Sequence, residues 1–186
     1  MNKIQMNSKA KLIVLLFLLM TIPIISMAQM RLENVLVVAQ QDKLEDRYSM
    51  ELALTNMMQT FGVTSKSALG VIPQGEFMNV LATEEMQKRV KAMGIDTYML
   101  ISVRGYDRSF TPSTNILNMR DELNAGHMFS FWRESANSIS FSVTFYRNNQ
   151  PIHYELIKIK NGKNREATIS KMVKAFEKRL QKSWLR

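Results

Sequence analysis

The chain predicts an α/β (α+β mixed) fold: one mixed sheet of about five strands in the order β-α-β-α-β-β-β-α, with helices packed on it and a C-terminal amphipathic helix. Three observations carry this. Two short runs, Asn34 to Ala39 and Tyr98 to Ile101, are apolar on both faces, as interior parallel strands are. "ISFSVTF", Ile139 to Phe145, alternates without a fault, as a strand covered on one face does. Arg165 to Leu185 places Ile169, Met172, Val173, Phe176, Leu180 and Trp184 at helical spacing.

Before the first strand, Lys3, Lys9 and Lys11 precede an apolar block from Leu12 to Ile25, with Pro23 and the small residues Ser26 and Ala28 behind it. A spanning helix needs about 20 apolar residues, more than this block holds. The pattern is that of a secretory signal peptide, residues 1–28, cut between Ala28 and Gln29. Residues 29–186 then form a single globular α/β domain without a transmembrane helix, carrying 22 Lys plus Arg against 16 Asp plus Glu, a charge of +6.

Asn34 to Ala39 reads as a central strand. Asp42 and Glu45 have capping-box spacing, and Leu44, Tyr48 and Leu52 with Met50, Leu54, Met57, Met58 and Phe61 give the apolar set of a helix stopped by Gly62. A short strand follows around Val63 to Leu69, then a turn-rich stretch from Gly70 to Gly75. Thr83 before Glu84 and Glu85 starts a helix that runs to Met93 and stops at Gly94. The strand through Tyr98 to Ile101 completes two parallel crossovers.

The hairpin comes last. Asn148 and Asn149 suit a two-residue type I′ turn, which pairs Phe145 with Ile152, Val143 with Tyr154 and Phe141 with Leu156 on the core face. Ser140, Ser142 and Thr144 then meet water or a partner, and Ile157 and Ile159 point to that outer side. No internal repeat, low-complexity tract or dividing linker is present.

The element order, with "EEMQKRVKAMGIDTYMLISVRGY" at its centre, resembles the small periplasmic α/β domain shared by the curli-assembly lipoprotein, the penicillin-binding-protein activator lipoproteins and the amino-terminal domain of the Tol-system translocation protein. Gly94, Ile95, Asp96 and the strand Tyr98 to Val103 carry the likeness. It implies a non-catalytic domain engaged in envelope assembly or protein recruitment, and transfers no functional residue. The chain departs from the group in lacking a lipid-bearing cysteine.

Chemistry is sparse. The absence of cysteine excludes disulfides, thiol catalysis, thiolate metal sites and anchoring through a lipidated cysteine. There is no G-x-S-x-G, no H-E-x-x-H and no glycine-rich phosphate loop; His153, one of two histidines, reads as an outward-facing surface residue. Asp107 and Arg108 read as a loop ion pair. No catalytic residue, metal ligand or cofactor is expected.

The segment Arg108 to Asn137, polar yet holding Phe110, Met128, Phe129, Phe131 and Trp132, is where function is sought, with a short helix at Asn118 to Leu123. Phe129, Phe131, Trp132 and Arg133 form a candidate partner-binding patch, or else fold back as cover for the core. Lys171, Lys174, Lys178 and Lys182 line the outer side of the last helix, as candidate contacts to an anionic glycan or lipid surface or as a merely solvated face.

The expectation is therefore an exported, periplasmic or extracellular, non-enzymatic protein that binds another envelope component, a protein first, and no nucleic acid. Two alternatives stand beside it. One is a hydrolase using Asp121 or Glu122 with Glu134 in a cleft formed by Arg108 to Asn137. The other is a carrier of small apolar ligands beside Met57 and Met58.

Overall fold

A computed structural model of the chain describes residues 32–73, 76–111, 115–125 and 129–185. Five strands form one sheet in the spatial order β2-β1-β3-β4-β5: β1 (Asn34–Gln40), β2 (Thr64–Ser67), β3 (Thr97–Tyr106), β4 (Ser138–Arg147) and β5 (Gln150–Lys160). β1 pairs in parallel with β2 and β3, while β3, β4 and β5 are antiparallel. Parallel pairing requires crossovers, and α1 (Leu44–Thr60) and α2 (Glu84–Ala92) supply them. A short α3 (Met119–Ala125) precedes β4, and α4 (Arg165–Arg179) closes the chain through a π-helical turn ending at Trp184.

Both sheet faces are covered. On one, Val35, Val37, Met99, Ile101, Phe141, Val143 and Phe145 pack against Met50, Leu54 and Met58 of α1 and Met172 and Phe176 of α4. Trp184 seals that core at 5.1 Å, ring centre to ring centre, from Phe145. On the other face, Leu36, Val38, Leu100 and Tyr146 lie under Met86 and Val90 of α2, Leu81, and Met119 and Leu123 of α3.

Most helix boundaries follow the predicted signals. Thr83 accepts from Met86 N at 3.3 Å, and Gly62 and Gly94 take φ of +78° and +79°; Asn164, a cap not singled out in the sequence, accepts from Ala167 N at 2.9 Å. The first helix differs. Lys43, not Asp42, occupies its cap position, with no side-chain cap bond. Leu44, Tyr48 and Leu52 are 67%, 56% and 41% exposed, so this part of the predicted apolar set faces solvent. The buried side of α1 instead carries Asp46, Arg47 and Glu51 among its apolar residues.

The physical reason lies at the sheet edge. β2 ends where Val37 pairs with Ser67, which leaves the next amides without a ladder. The fully buried Glu51 carboxylate fills the gap, accepting from Ala39 N at 3.1 Å, Leu69 N at 3.0 Å and Ser67 Oγ at 2.6 Å, with Arg47 Nε at 2.9 Å. Asp46, likewise buried, is paired with Arg165 of α4. Charges turned inward in this way rotate the helix away from its apolar reading.

The hairpin is corrected too. Asn148 and Asn149 adopt φ of 51° and 65°, as a type I′ turn requires, and Arg147 pairs with Gln150 and Tyr146 with Pro151. Then the register slips, with Phe145 opposite His153, Phe141 opposite Ile157 and Ile139 opposite Ile159. Ile152 is the extra residue of a bulge beside Pro151, whose missing N–H already interrupts the ladder. The slip buries Ile157 and Ile159 in the core and turns Tyr154 and Leu156 to the opposite face. The bulged register exchanges Ile152, Tyr154 and Leu156 on the core face for Ile157 and Ile159, both nearly fully buried. Ser140, Ser142 and Thr144 do not meet water; they are buried on the face that the segment after β3 crosses.

Candidate functional site

On that second face a cleft of about 580 Å³ opens over the antiparallel half of the sheet. Thr144 of β4, Tyr154 and Leu156 of β5 and Arg104 of β3 line the sheet side, while Phe110, Ile116 and Leu117 form the opposing apolar wall and Glu122 of α3 closes one end.

Two irregularities aim these side chains. The ladder pairs Val103 with Phe141 and Gly105 with Ser140, so Arg104 is the extra residue of a bulge. Bulges redirect a side chain, and this one places Arg104 Nη2 2.9 Å from Glu122 Oε1. Gly105 follows with φ +148°, and a Cβ there would stand 3.0 Å from Phe110 Cζ; the missing side chain lets the Phe110 ring lie against the strand. The second bulge, at Ile152, brings Tyr154 and Leu156 to the cleft instead of the core.

Beneath the cleft the polar groups are knitted together. Gln40 Nε2 donates to Glu122 O at 2.9 Å, and Ser102 Oγ donates to Gln40 Oε1. These contacts tie α3 to the end of β1 and, through it, to the middle of β3. Burial raises the pKa of Tyr154, and the Glu122 carboxylate adds to the rise while Arg104 opposes it. Burial, and Glu122 after it, push the buried Tyr146 up as well, with Thr144 beside the hydroxyl and Arg104 opposing; the hydroxyl makes no well-formed hydrogen bond to a described residue. Both phenols therefore stay protonated and uncharged around neutral pH.

The cleft borders a sheet edge. β5 is the last strand, 11 residues long, and outside its ladder with β4 its backbone forms no hydrogen bond to another described backbone. The other edge, β2, has only four residues and carries the exposed Lys66, a protected arrangement. Along the cleft side, β5 presents Tyr154 and Leu156, then the exposed Lys158 and Lys160.

The predicted patch divides. Phe131 is 1% exposed within the core, and Trp132 is half-buried against it, its Nε1 donating to Gly162 O at 3.3 Å. Arg165 lies over both rings, 5.5 Å from Phe131 and 6.0 Å from Trp132. These two act as cover. Phe129 stays outside at 47% exposure, edge-on to Tyr106, with Arg133 over the same Tyr106 ring. His127 and Met128 lie outside the described residues, as do Ala28, Gln29 and the whole predicted leader.

Lys171, Lys174, Lys178 and Lys182 are exposed, on the side of α4 and its final turn turned away from the buried Met172, Phe176, Leu180 and Trp184. His153 is not an outward surface residue: the bulge sets its ring 6.0 Å from Phe145 and 6.5 Å from Trp184. Asp107 pairs with the backbone rather than Arg108, accepting from Asn137 N at 2.9 Å and Ser138 N at 2.8 Å where β4 begins. Met57 and Met58 are buried in the core. Among the cleft's described lining residues Glu122 is the sole acid; Asp121 is bonded to Asn118, and Glu134 lies elsewhere. No described group of three or more His, Asp or Glu is placed to hold a metal ion. No described helix is long and apolar enough to cross a membrane.

Phe110, Ile116, Leu117 and Glu122 fall within the predicted Arg108 to Asn137 segment, but the sheet-side lining by Arg104, Tyr154 and Leu156 was not legible, because both bulges that aim these side chains depend on pairing. Pro151 and Gly105 were the available signals, since proline and glycine within strands mark such irregularities.

No protein-family model matches the chain. No curated protein matches it either. Among solved structures it is similar to lipoprotein GNA1162 from Neisseria meningitidis, at 13% identity and a TM-score of 0.45, over 81% of this chain and 97% of that one. It is similar also to PelC of a dodecamer from Paraburkholderia phytofirmans, at 7% identity and a TM-score of 0.44, over 80% of this chain and 88% of that one. A third is XCC0632 from Xanthomonas campestris, with 5% identity, a TM-score of 0.32, and 78% and 77% covered.

Proposed function

We propose that the chain is exported with cleavage after Ala28 and serves in the cell envelope as a non-enzymatic binding protein whose partner is another envelope protein. The observation that carries this reading is the open β5 edge beside the cleft, where a long row of backbone groups adjoins an apolar wall. Free strand edges with neighbouring side-chain pockets are the recurring means by which folded domains take up segments of other proteins. The basic, apolar and small-residue succession of the first 28 residues supports export. The lack of cysteine supports a domain held by contacts rather than by a lipid on cysteine.

The test is photo-crosslinking in cells, with a photoreactive residue at Lys158 beside the edge and, as control, at Lys91 on α2. One discrete protein adduct at position 158, absent at 91 and lost when Leu156→Arg charges the cleft mouth, is the expected result. Equal adducts at both positions, adducts to glycan or lipid alone, or no adduct would overturn the proposal. The melting temperature of the Leu156→Arg protein separates a lost contact from a lost fold.

A further inference from the structure

Resting on the reading of β5 as a partner-binding edge, we infer that the bound segment is an extended strand antiparallel to β5, with acidic residues near its start and large apolar residues at alternate positions further along.

Geometry sets the conformation. A chain that satisfies the outer N–H and C=O groups of β5 must itself be extended, and about seven residues at ~3.3 Å each would cover the stretch from Tyr154 to Lys160. A helix cannot match that repeat.

The side-chain pattern follows from the face of the sheet that is open. Alternate residues of an added strand stand beside Tyr154, Leu156, Lys158 and Lys160, with cross-strand Cβ distances of about 4.5–5.5 Å. Next to Tyr154 and Leu156 lies the cleft, whose wall of Phe110, Ile116 and Leu117 receives an apolar side chain. Next to Lys158 and Lys160 no described acid pairs with either lysine, and both are exposed. An acid there gains a cross-strand ion pair, whereas a lysine or arginine meets like charge. Arg104 and Glu122 already neutralise each other within the cleft, so the neighbouring pocket favours an uncharged group. Residues on the other side of the added strand pass Glu155, partly buried and already held by Arg179 and Trp184, and the buried Ile157 and Ile159, none of which asks for a charged neighbour.

Direction comes from the same gradient. β5 runs from apolar to basic, so an antiparallel strand begins with its acids and ends with its apolar residues; a parallel strand would reverse them. Antiparallel pairing is the more stable per residue, and β5 already pairs that way with β4.

The test uses the purified protein and two fluorescein-labelled heptapeptides, Glu-Thr-Glu-Thr-Leu-Thr-Phe and its reverse, followed by fluorescence anisotropy. The forward peptide is expected to bind with a Kd of about 10–100 μM and at least tenfold more tightly than the reverse. N-methylation of the amides facing β5 weakens it tenfold or more, and Lys158→Glu with Lys160→Glu does the same, by an amount that shrinks in high salt. Equal binding of the methylated and parent peptides, tighter binding of the reverse peptide, or indifference to the charge reversal would overturn the inference. So would no binding by either peptide while the photo-adduct at position 158 persists, which leaves the partner reading standing; loss of that adduct overturns the reading itself.

Discussion

Glu51→Ala is the substitution that most directly probes how this sheet is finished at its short edge. It removes one carboxylate with four donors: the Ala39 and Leu69 amides, the Ser67 hydroxyl and the Arg47 guanidinium. Leu69 N retains Ser67 Oγ at 3.2 Å, but the Ala39 amide lies past the last residue of β2 and loses its acceptor. An orphaned buried amide costs about 1–3 kcal/mol. Breaking a buried ion pair by deleting one partner costs about 3–5 kcal/mol, a figure that overlaps the first because Arg47 shares the same oxygen as Ala39. The expected loss is about 4 kcal/mol, or roughly 8–16 °C in melting temperature for a domain of this size. Glu51→Gln keeps one acceptor oxygen and should lose about 2 kcal/mol. Urea unfolding followed by circular dichroism measures both, with an unchanged m-value as the check that only stability has moved. Adding Arg47→Met to Glu51→Gln should cost at least about 1 kcal/mol less than the sum of the single changes. A loss below about 1 kcal/mol for Glu51→Ala, or strict additivity in the cycle, would refute the role given to this carboxylate.

Two further outcomes follow from close contacts and from one buried hydroxyl. Gly162→Ala should destabilise the protein by about 1–3 kcal/mol, because its Cβ would stand 2.4 Å from Thr168 N in the first turn of α4; calorimetry showing no change would contradict that contact. Tyr146→Phe should leave stability unchanged or raise it by up to about 1 kcal/mol, since the buried hydroxyl it removes lies beside Thr144 without a well-formed hydrogen bond to a described residue, and a loss above about 1 kcal/mol on urea unfolding would show the hydroxyl is satisfied.

Element order was legible because it rests on local signals. Glycine stops, the Thr83 cap, the doubly apolar β1 and β3 and the alternating β4 each declare themselves within a few residues. The final helix was equally plain, down to Trp184 over Phe145. What stayed hidden depends on partners distant in sequence. The buried face of α1 carries Asp46, Arg47 and Glu51 because strand ends and Arg165 await them, and no helical periodicity expresses that. The outward fate of Leu44, Tyr48 and Leu52 follows from the same charges. The candidate cleft was least legible, since Arg104 and Tyr154 owe their positions to bulges whose effect exists only once β3, β4 and β5 are side by side. Within Phe129 to Arg133, residue types alone could not separate the inward Phe131 from the outward Phe129.

The extra residue at Ile152 gives the hairpin a sensitivity that concerns number rather than chemistry. Loss of that single codon would let pairing run one-to-one from the asparagine turn with Phe145 still opposite His153 and Phe141 still opposite Ile157, whereas gain of one residue beside it, with only a one-residue bulge to absorb it, would invert everything beyond: Ile157 and Ile159 toward the cleft side, Tyr154 and Leu156 into the space between strand and closing helix. Many side-chain replacements along β5 leave such a frame standing. One insertion turns the last strand inside out.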